Sequence, residues 1–326
     1  MTETSIPLEI RNLTVDFETD AARVRALSDF GYSIKRGETL AVVGESGSGK
    51  TVHALAIMGL LPVPPAKISS GSVMFKGREL LGLPQGELRK IRGAEISMIF
   101  QDPMTSLNPV LTIGRQITET LLAHDACRPK EASAHAAQLL AKVGIPNPVK
   151  KLSSYPHQFS GGMRQRVMIA LALACNPDVL IADEPTTALD VTIQAQILSL
   201  IDSMKKQSDM AVVLITHNLG IVAEHADHVM VMYSGRIMET ADTARIFERP
   251  AHPYTKGLLN SIPSLFKTED RLSTIPGHPS PAFNFKGCAF AARCPVKMSV
   301  CDNEEPPLFG LEGGQSSRCW LCGKQP

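Results

Sequence analysis

Thr39-Leu-Ala-Val-Val43, followed by Gly44-Glu45-Ser46-Gly47-Ser48-Gly49-Lys50-Thr51, is the stretch on which the fold turns. Thr39 to Gly44 reads as a short apolar strand, and Lys50 to Leu60 reads as a helix. Between them lies the G-x-x-x-x-G-K-T spacing of a phosphate-binding loop in its required strand–loop–helix setting. The chemistry demands these residue types. Glycines let the backbone wrap close to phosphate oxygens with successive N–H groups pointing inward. The helix that starts near Lys50 adds the positive end of its dipole. Lys50 supplies a point charge for the β- and γ-phosphates, and the Thr51 hydroxyl is a ligand for Mg²⁺. A chance glycine turn with this spacing arises in roughly 1% of chains of this length.

Further along, Val179-Leu-Ile-Ala-Asp183-Glu184 is an apolar strand ending in two carboxylates. Two acids at a strand end are ordinarily just solvated, but a phosphate loop upstream turns the reading toward chemistry. Asp183 is then placed to hold Mg²⁺ through water, and Glu184 to polarise the attacking water. His217 follows a second buried-type strand, Val212 to Thr216, where an imidazole can contact the γ-phosphate. Gln101 ends the strand Ile96 to Phe100 and can touch Mg²⁺ or the water. Taken singly, His217 and Gln101 are equally well structural residues.

The rest of the pattern fits one architecture. Residues 8 to 45 are β-rich, Ser72 to Phe75 continues this, and Gln116 to about Ala174 has a helical period with a break at Ile145 to Tyr155. Short apolar strands then alternate with helices, which implies a mainly parallel sheet covered by helices. After Pro250 the helical period fades and Pro, Gly and Cys become frequent. Two domains are expected: residues 1–250, with a helical subdomain at about 103–175, and residues 251–326. The chain has 326 residues, 44% apolar, 20% charged, with a formal net charge of +1. That is an ordinary globular composition without the global field of a nucleic-acid binder. No apolar run approaches the roughly 20 residues of a membrane span. The N-terminus lacks a signal-peptide pattern, so a cytoplasmic location is expected.

Phe159-Ser160-Gly161-Gly162-Met163-Arg164-Gln165-Arg166 identifies the family. It resembles the signature motif of the ATP-binding-cassette (ABC) ATPases. The other motifs fall in that family's order: Gln101 resembles the Q-loop, Asp183-Glu184 the Walker B pair, Ala188-Leu189-Asp190 the D-loop, and His217 the switch histidine. The resemblance implies an α/β P-loop NTPase fold. It would have a mainly parallel RecA-like core, an antiparallel β subdomain, a helical subdomain and a small irregular Cys-rich C-terminal region. It also implies ATP and Mg²⁺ as ligands, with Mg²⁺ held through Thr51, Gln101 and Asp183. Ser160, Gly161, Gly162 and Met163 would complete the ATP site of a second subunit. The physical logic is plain, because Ser is a good N-cap and a helix N-terminus attracts anions. One departure stands out: where the family usually stacks adenine on an aromatic ring, this chain has Arg23-Val24-Arg25-Ala26.

Phe100 to Pro109, the Met163 form of the signature and His252-Pro-Tyr-Thr-Lys-Gly-Leu-Leu259 are similar to the oligopeptide/dipeptide importer ATPases, in particular the D-type subunit. That likeness implies a paralogous F-type ATPase subunit, two transmembrane permease subunits and an extracytoplasmic solute-binding protein as partners. It places the chain peripherally on the cytoplasmic membrane face. An importer for nickel or another small solute is the near alternative. A soluble ABC ATPase acting on nucleic acid is the distant one, since basic arms, a second cassette and a long coiled coil are lacking.

Five of the seven cysteines lie between Cys288 and Cys322. Four converging thiolates can hold a [4Fe–4S] cluster or a zinc ion, or the thiols can be free. Only Cys319-Trp-Leu-Cys322 has the C-x2-C spacing favoured by zinc. The importer resemblance implies an iron–sulfur site on Cys288, Cys294, Cys301 and Cys319. Cys127 and Cys175 read as core residues of helices.

Overall fold

The computed structural model describes residues 6–18, 23–102, 106–186, 190–261, 275–277 and 286–323. In chain order its strands are β1 (Leu8–Glu18), β2 (Arg23–Ile34), β3 (Thr39–Val43), β4 (Ala66–Phe75), β5 (Arg78–Glu79) and β6 (Ile96–Ile99). They continue with β7 (Val179–Asp183), β8 (Ala211–Ile215), β9 (His228–Tyr233), β10 (Arg236–Asp242), β11 (Phe309–Gly310) and β12 (Ser316–Ser317). These elements gather into two compact units, each discontinuous in sequence.

One unit is drawn chiefly from Lys35–Glu38 and Gly82–Leu214. Its strands follow the order β8-β7-β6, with β6 and β7 parallel. Every residue of β6, β7 and β8 is buried. That is why they read as unbroken apolar runs and not as alternating ones. The long helical stretch resolves into helices Ile113–Ala123, Ala132–Lys142, Pro148–Lys151 and Gly161–Ala172. Ile113, Ile117 and Leu121 line the buried face of the first, at the spacing an amphipathic helix requires. Helix Val191–Ser208 buries Ile197, Leu198, Ile201 and Met204 in the same way.

The other unit comprises Leu8–Ile34, Thr39–Leu81 and the chain from Ile215 onward. It holds an antiparallel sheet in the order β2-β1-β4-β5 and a second group of strands in the order β11-β12-β10-β9-β3. The pair β3–β9 is parallel, whereas β10 returns antiparallel on β9. The turn is Ser234-Gly235, both with positive φ, and a Cβ on Gly235 would come within 2.5 Å of the Ala26 carbonyl oxygen. The helix after the phosphate loop spans Lys50–Ile57 and stops short of Leu60, ending beside Gly59 at φ 57°.

The C-terminal residues are stitched into this unit. Ser316 and Ser317 pair with Thr240 and Glu239 of β10, so β12 extends the sheet. Glu239 is fully buried and its carboxylate accepts from the Ala251 and His252 N–H groups, each at 2.8 Å, and from Gln315 Nε2 at 2.7 Å. Helix Pro253–Asn260 starts there, with His252 as its N-cap accepting from the Tyr254 N–H at 3.0 Å.

Candidate functional site

The phosphate loop is shaped by what crowds it. A Cβ on Gly44 would lie 2.2 Å from the Met232 carbonyl oxygen, and one on Gly49 would lie 2.7 Å from that of Ala26. Gly49 also holds φ at 99°, a conformation side chains resist, and it is the N-cap of helix Lys50–Ile57 without any side-chain cap. The helix N-terminus is therefore open to an anion by backbone alone. Ser46, Gly47 and Thr51 are exposed, while Ser48, Gly49 and Lys50 are buried. Lys50 Nζ donates to the carbonyl oxygens of Gly44 at 2.8 Å and Glu45 at 3.0 Å. His53, one turn further, is fully buried against Phe30. Burial drives its pKa down to about 3, so it adds no charge beneath the loop.

Glu45 departs from the expectation that the loop's N–H groups point inward. Its N–H donates to the Tyr254 hydroxyl at 3.0 Å. Its carboxylate is gripped at both oxygens by Arg293, at 2.6 Å and 3.1 Å. Burial opposes the charge on Arg293, but the Glu45 contact outweighs it and raises the pKa. Tyr233, Tyr254 and Phe290 pack beneath this pair with ring centroids 4.8–5.4 Å apart.

In the other unit, Asp183 ends β7 and is 2% exposed. Glu184 follows in a left-handed backbone conformation, φ 46°, uncommon for a residue with a side chain. Gln101, exposed beyond β6, donates through Nε2 to the Glu184 carboxylate at 3.3 Å. The sheet thus brings together two residues 83 positions apart. Ser160 is the N-cap of helix Gly161–Ala172 and accepts from the Met163 N–H at 3.3 Å. Gln165, buried one turn later, donates to the Pro185 carbonyl and ties the signature helix to the segment after Glu184. Asp190 caps helix Val191–Ser208, accepting from Ile193 N–H at 2.9 Å. Ala188 and Leu189 lie outside the described residues.

His217 is exposed between β8 and the Asn218 cap of helix Leu219–His225. Val24 is half-buried opposite Phe17 on β1. Its neighbours Arg23 and Arg25 both donate to the buried Asp16, at 2.6 Å and 3.1 Å. Burial raises the Asp16 pKa, but these bonds and one from Ser69 prevail and bring it to about 2. Thr51, Gln101 and Asp183 are oxygen donors of the kind Mg²⁺ takes.

Cys288, Cys294, Cys301 and Cys319 line one cavity of about 10 Å³, with Cys322 outside it. That is room for about one water. The lining is apolar apart from the thiols and His252. Burial pushes the Cys288 thiol up to about 11 and raises that of Cys294. Cys319 is raised chiefly by its hydrogen bond to Cys322. The expected convergence of thiolates is met only in part. Among the described residues, no group of three His, Cys, Asp or Glu stands close enough to hold a metal ion. Cys127 and Cys175 are half-buried and lie just past helix ends, not in the core.

Sequence reasoning missed Tyr254 and Arg293 as neighbours of the phosphate loop. Among the described residues no helix is long and apolar enough to cross a membrane.

A glycine-built phosphate loop, a buried strand ending in Asp183-Glu184 and a Ser-capped signature helix define an ATP-binding-cassette ATPase. The ABC transporter family model matches residues 27–187, and that of the oligopeptide/dipeptide transporter C-terminal region matches 238–301. The dipeptide transport ATP-binding protein DppD of Bacillus subtilis is 51% identical over 96% of this chain and 94% of its own length. The oligopeptide transport ATP-binding protein OppD of Haemophilus influenzae is 48% identical over 98% of both chains. The solved ADP- and phosphate-bound dimer of the ATP-binding cassette MJ0796 superimposes with a TM-score of 0.65 at 28% identity. That match covers 72% of this chain and 98% of that one. The chain belongs to the ATP-binding subunits of the oligopeptide/dipeptide ABC transporters.

Proposed function

We propose that the chain binds ATP and Mg²⁺ on Gly44 to Thr51 and hydrolyses ATP to power peptide import through a separate permease. Asp183, Thr51 and Gln101 would hold Mg²⁺, which would supply charge neutralisation at the phosphates. Glu184 accepts a proton from the attacking water, Gln101 orients the carboxylate, and His217 contacts the γ-phosphate. Ser160 to Met163 offer N–H groups to the nucleotide of a second ATPase subunit, an F-type paralogue, and Asp190 belongs to the same interface. The dimer of the structurally similar MJ0796 cassette supports that pairing. Two permease subunits and an extracytoplasmic binding protein complete the machine, with this chain peripheral on the cytoplasmic face. Residues 1–250 act as the nucleotide-binding domain and 251–326 as the transporter-specific region.

The observation that carries this reading is Glu184, held in an unusual backbone conformation beside buried Asp183 and touched by Gln101. The test is Glu184→Gln in the assembled transporter. ATP binding should persist, while hydrolysis and binding-protein-dependent peptide uptake fall by about 10²–10⁴-fold. Wild-type turnover would remove Glu184 from its role, and uptake of nickel in place of peptide would overturn the substrate.

The tail's four cavity-lining cysteines support a [4Fe–4S] cluster on Cys288, Cys294, Cys301 and Cys319 in preference to zinc. Four cysteines lining one cavity are the donor set such a cluster takes, but the cavity, with room for about one water, would have to open to admit it. Binding displaces the thiol protons that burial now favours. The cluster would act as a staple for an irregular segment, with no redox step. Anaerobically purified protein should absorb near 400 nm and contain about four irons per chain. Colourless, zinc-loaded protein would reject the cluster.

A further inference from the structure

We propose that Arg293 is a positioning residue for ATP hydrolysis, acting through Glu45 to set the affinity of the phosphate loop for nucleotide. Five observations converge. The Arg293 fork meets both Glu45 oxygens, at 2.6 Å and 3.1 Å, the strongest geometry available to such a pair. Its other donors are spoken for as well, Nε on the Pro276 carbonyl at 2.9 Å, Nη2 on the Ile275 carbonyl at 3.3 Å and Nη1 on the Tyr233 hydroxyl at 3.4 Å, so the fork has a fixed direction. The guanidinium lies 5.7 Å from the Tyr233 ring centroid, and its side chain is only 6% exposed. The Glu45 N–H is held separately by the Tyr254 hydroxyl. Finally, the Glu45 carbonyl is among the oxygens that receive Lys50 Nζ, at 3.0 Å. One residue of the loop is therefore fixed at its N–H and its carboxylate by the chain's last third, and its carbonyl bears on the lysine that serves phosphate.

Charge gives the clamp a second effect. The Glu45 carboxylate lies within a loop that receives a polyanion, and Arg293 neutralises it. Without Arg293 a half-buried, unpaired carboxylate would repel the phosphates and loosen the loop at once. Arg293 directly precedes Cys294, and Phe290 links the Tyr233–Tyr254 pair to the cysteine cavity. The transporter-specific region thereby reaches the nucleotide end of the cassette.

The experiment is a double-mutant cycle on the full chain in its assembled transporter, read by ATP titration with a fluorescent analogue and by steady-state hydrolysis. Arg293→Ala should weaken binding and raise KM by about tenfold, while kcat at saturating ATP falls by less than about twofold. Adding Glu45→Gln should bring affinity back to within about threefold of wild type, because the unpaired charge is gone. Arg293→Lys keeps the charge but loses the fork, and should raise KM by about threefold. If Arg293→Ala does not fold, Arg293→Lys with and without Glu45→Gln gives the same comparison. An unchanged KM, a loss confined to kcat, or a Glu45→Gln effect that merely adds to that of Arg293 would each overturn the proposal.

Discussion

The molecule carries two helix N-termini shaped for phosphate, at Gly49-Lys50 and at Ser160-Gly161, built by opposite means. The first has no side-chain cap and depends on a left-handed glycine wedged against the Ala26 carbonyl. The second is capped by the Ser160 hydroxyl, and nothing lies within 4 Å of where a Cβ on Gly161 would stand. The phosphate loop carries its own cation, Lys50, whereas Ser160 to Met163 carry none. A site that must grip nucleotide on its own is built from backbone strain and buried charge. One that, as proposed, would meet nucleotide held by another subunit needs only a cap and open space.

The contrast can be broken hardest at Gly49. Gly49→Ala forces a Cβ toward an oxygen 2.7 Å away in a backbone conformation alanine resists, so nucleotide binding should fall by at least about 10²-fold in a fluorescent-ATP titration. The smaller effects lie at the signature helix. Ser160→Ala removes the cap and should lower stability by about 1 kcal/mol, read as a shift in thermal midpoint. Gly161→Ala enters open space within a helix and should leave that midpoint unchanged or slightly raised, by at most about 1 kcal/mol. Equal damage from Gly49→Ala and Gly161→Ala would erase the distinction.

The legible parts of the fold were those encoded locally. The phosphate loop is contiguous, and its strand, glycines and helix each signal in a short window. The Asp183-Glu184 strand and the Ser160 cap are readable for the same reason. Helix Leu219–His225 and β10 were not expected, although the Ser234-Gly235 turn between apolar runs is a hairpin signal. The clamp on Glu45 could not be read, since Arg293 lies 248 positions away and is an ordinary arginine among cysteines until folding places it. The Gln101–Glu184 contact was anticipated only as membership of one site, because the hydrogen bond depends on how β6 and β7 pair. The thiols share a cavity as their clustering suggested, but spacing alone does not specify how near the sulfurs approach.

The pairing of Ser316-Ser317 with β10 has a consequence for solubility. A strand with a free flank offers a row of unpaired N–H and carbonyl groups on which another chain can add. Here the seven residues of β10 are partly covered by β12, and among the described residues the sheet finishes in β11, a strand of two residues, too short to act as a template. A cassette cut at residue 250 would bare that flank and leave Glu239 without Gln315. The tail is in this sense a guard against self-association as well as a bearer of cysteines.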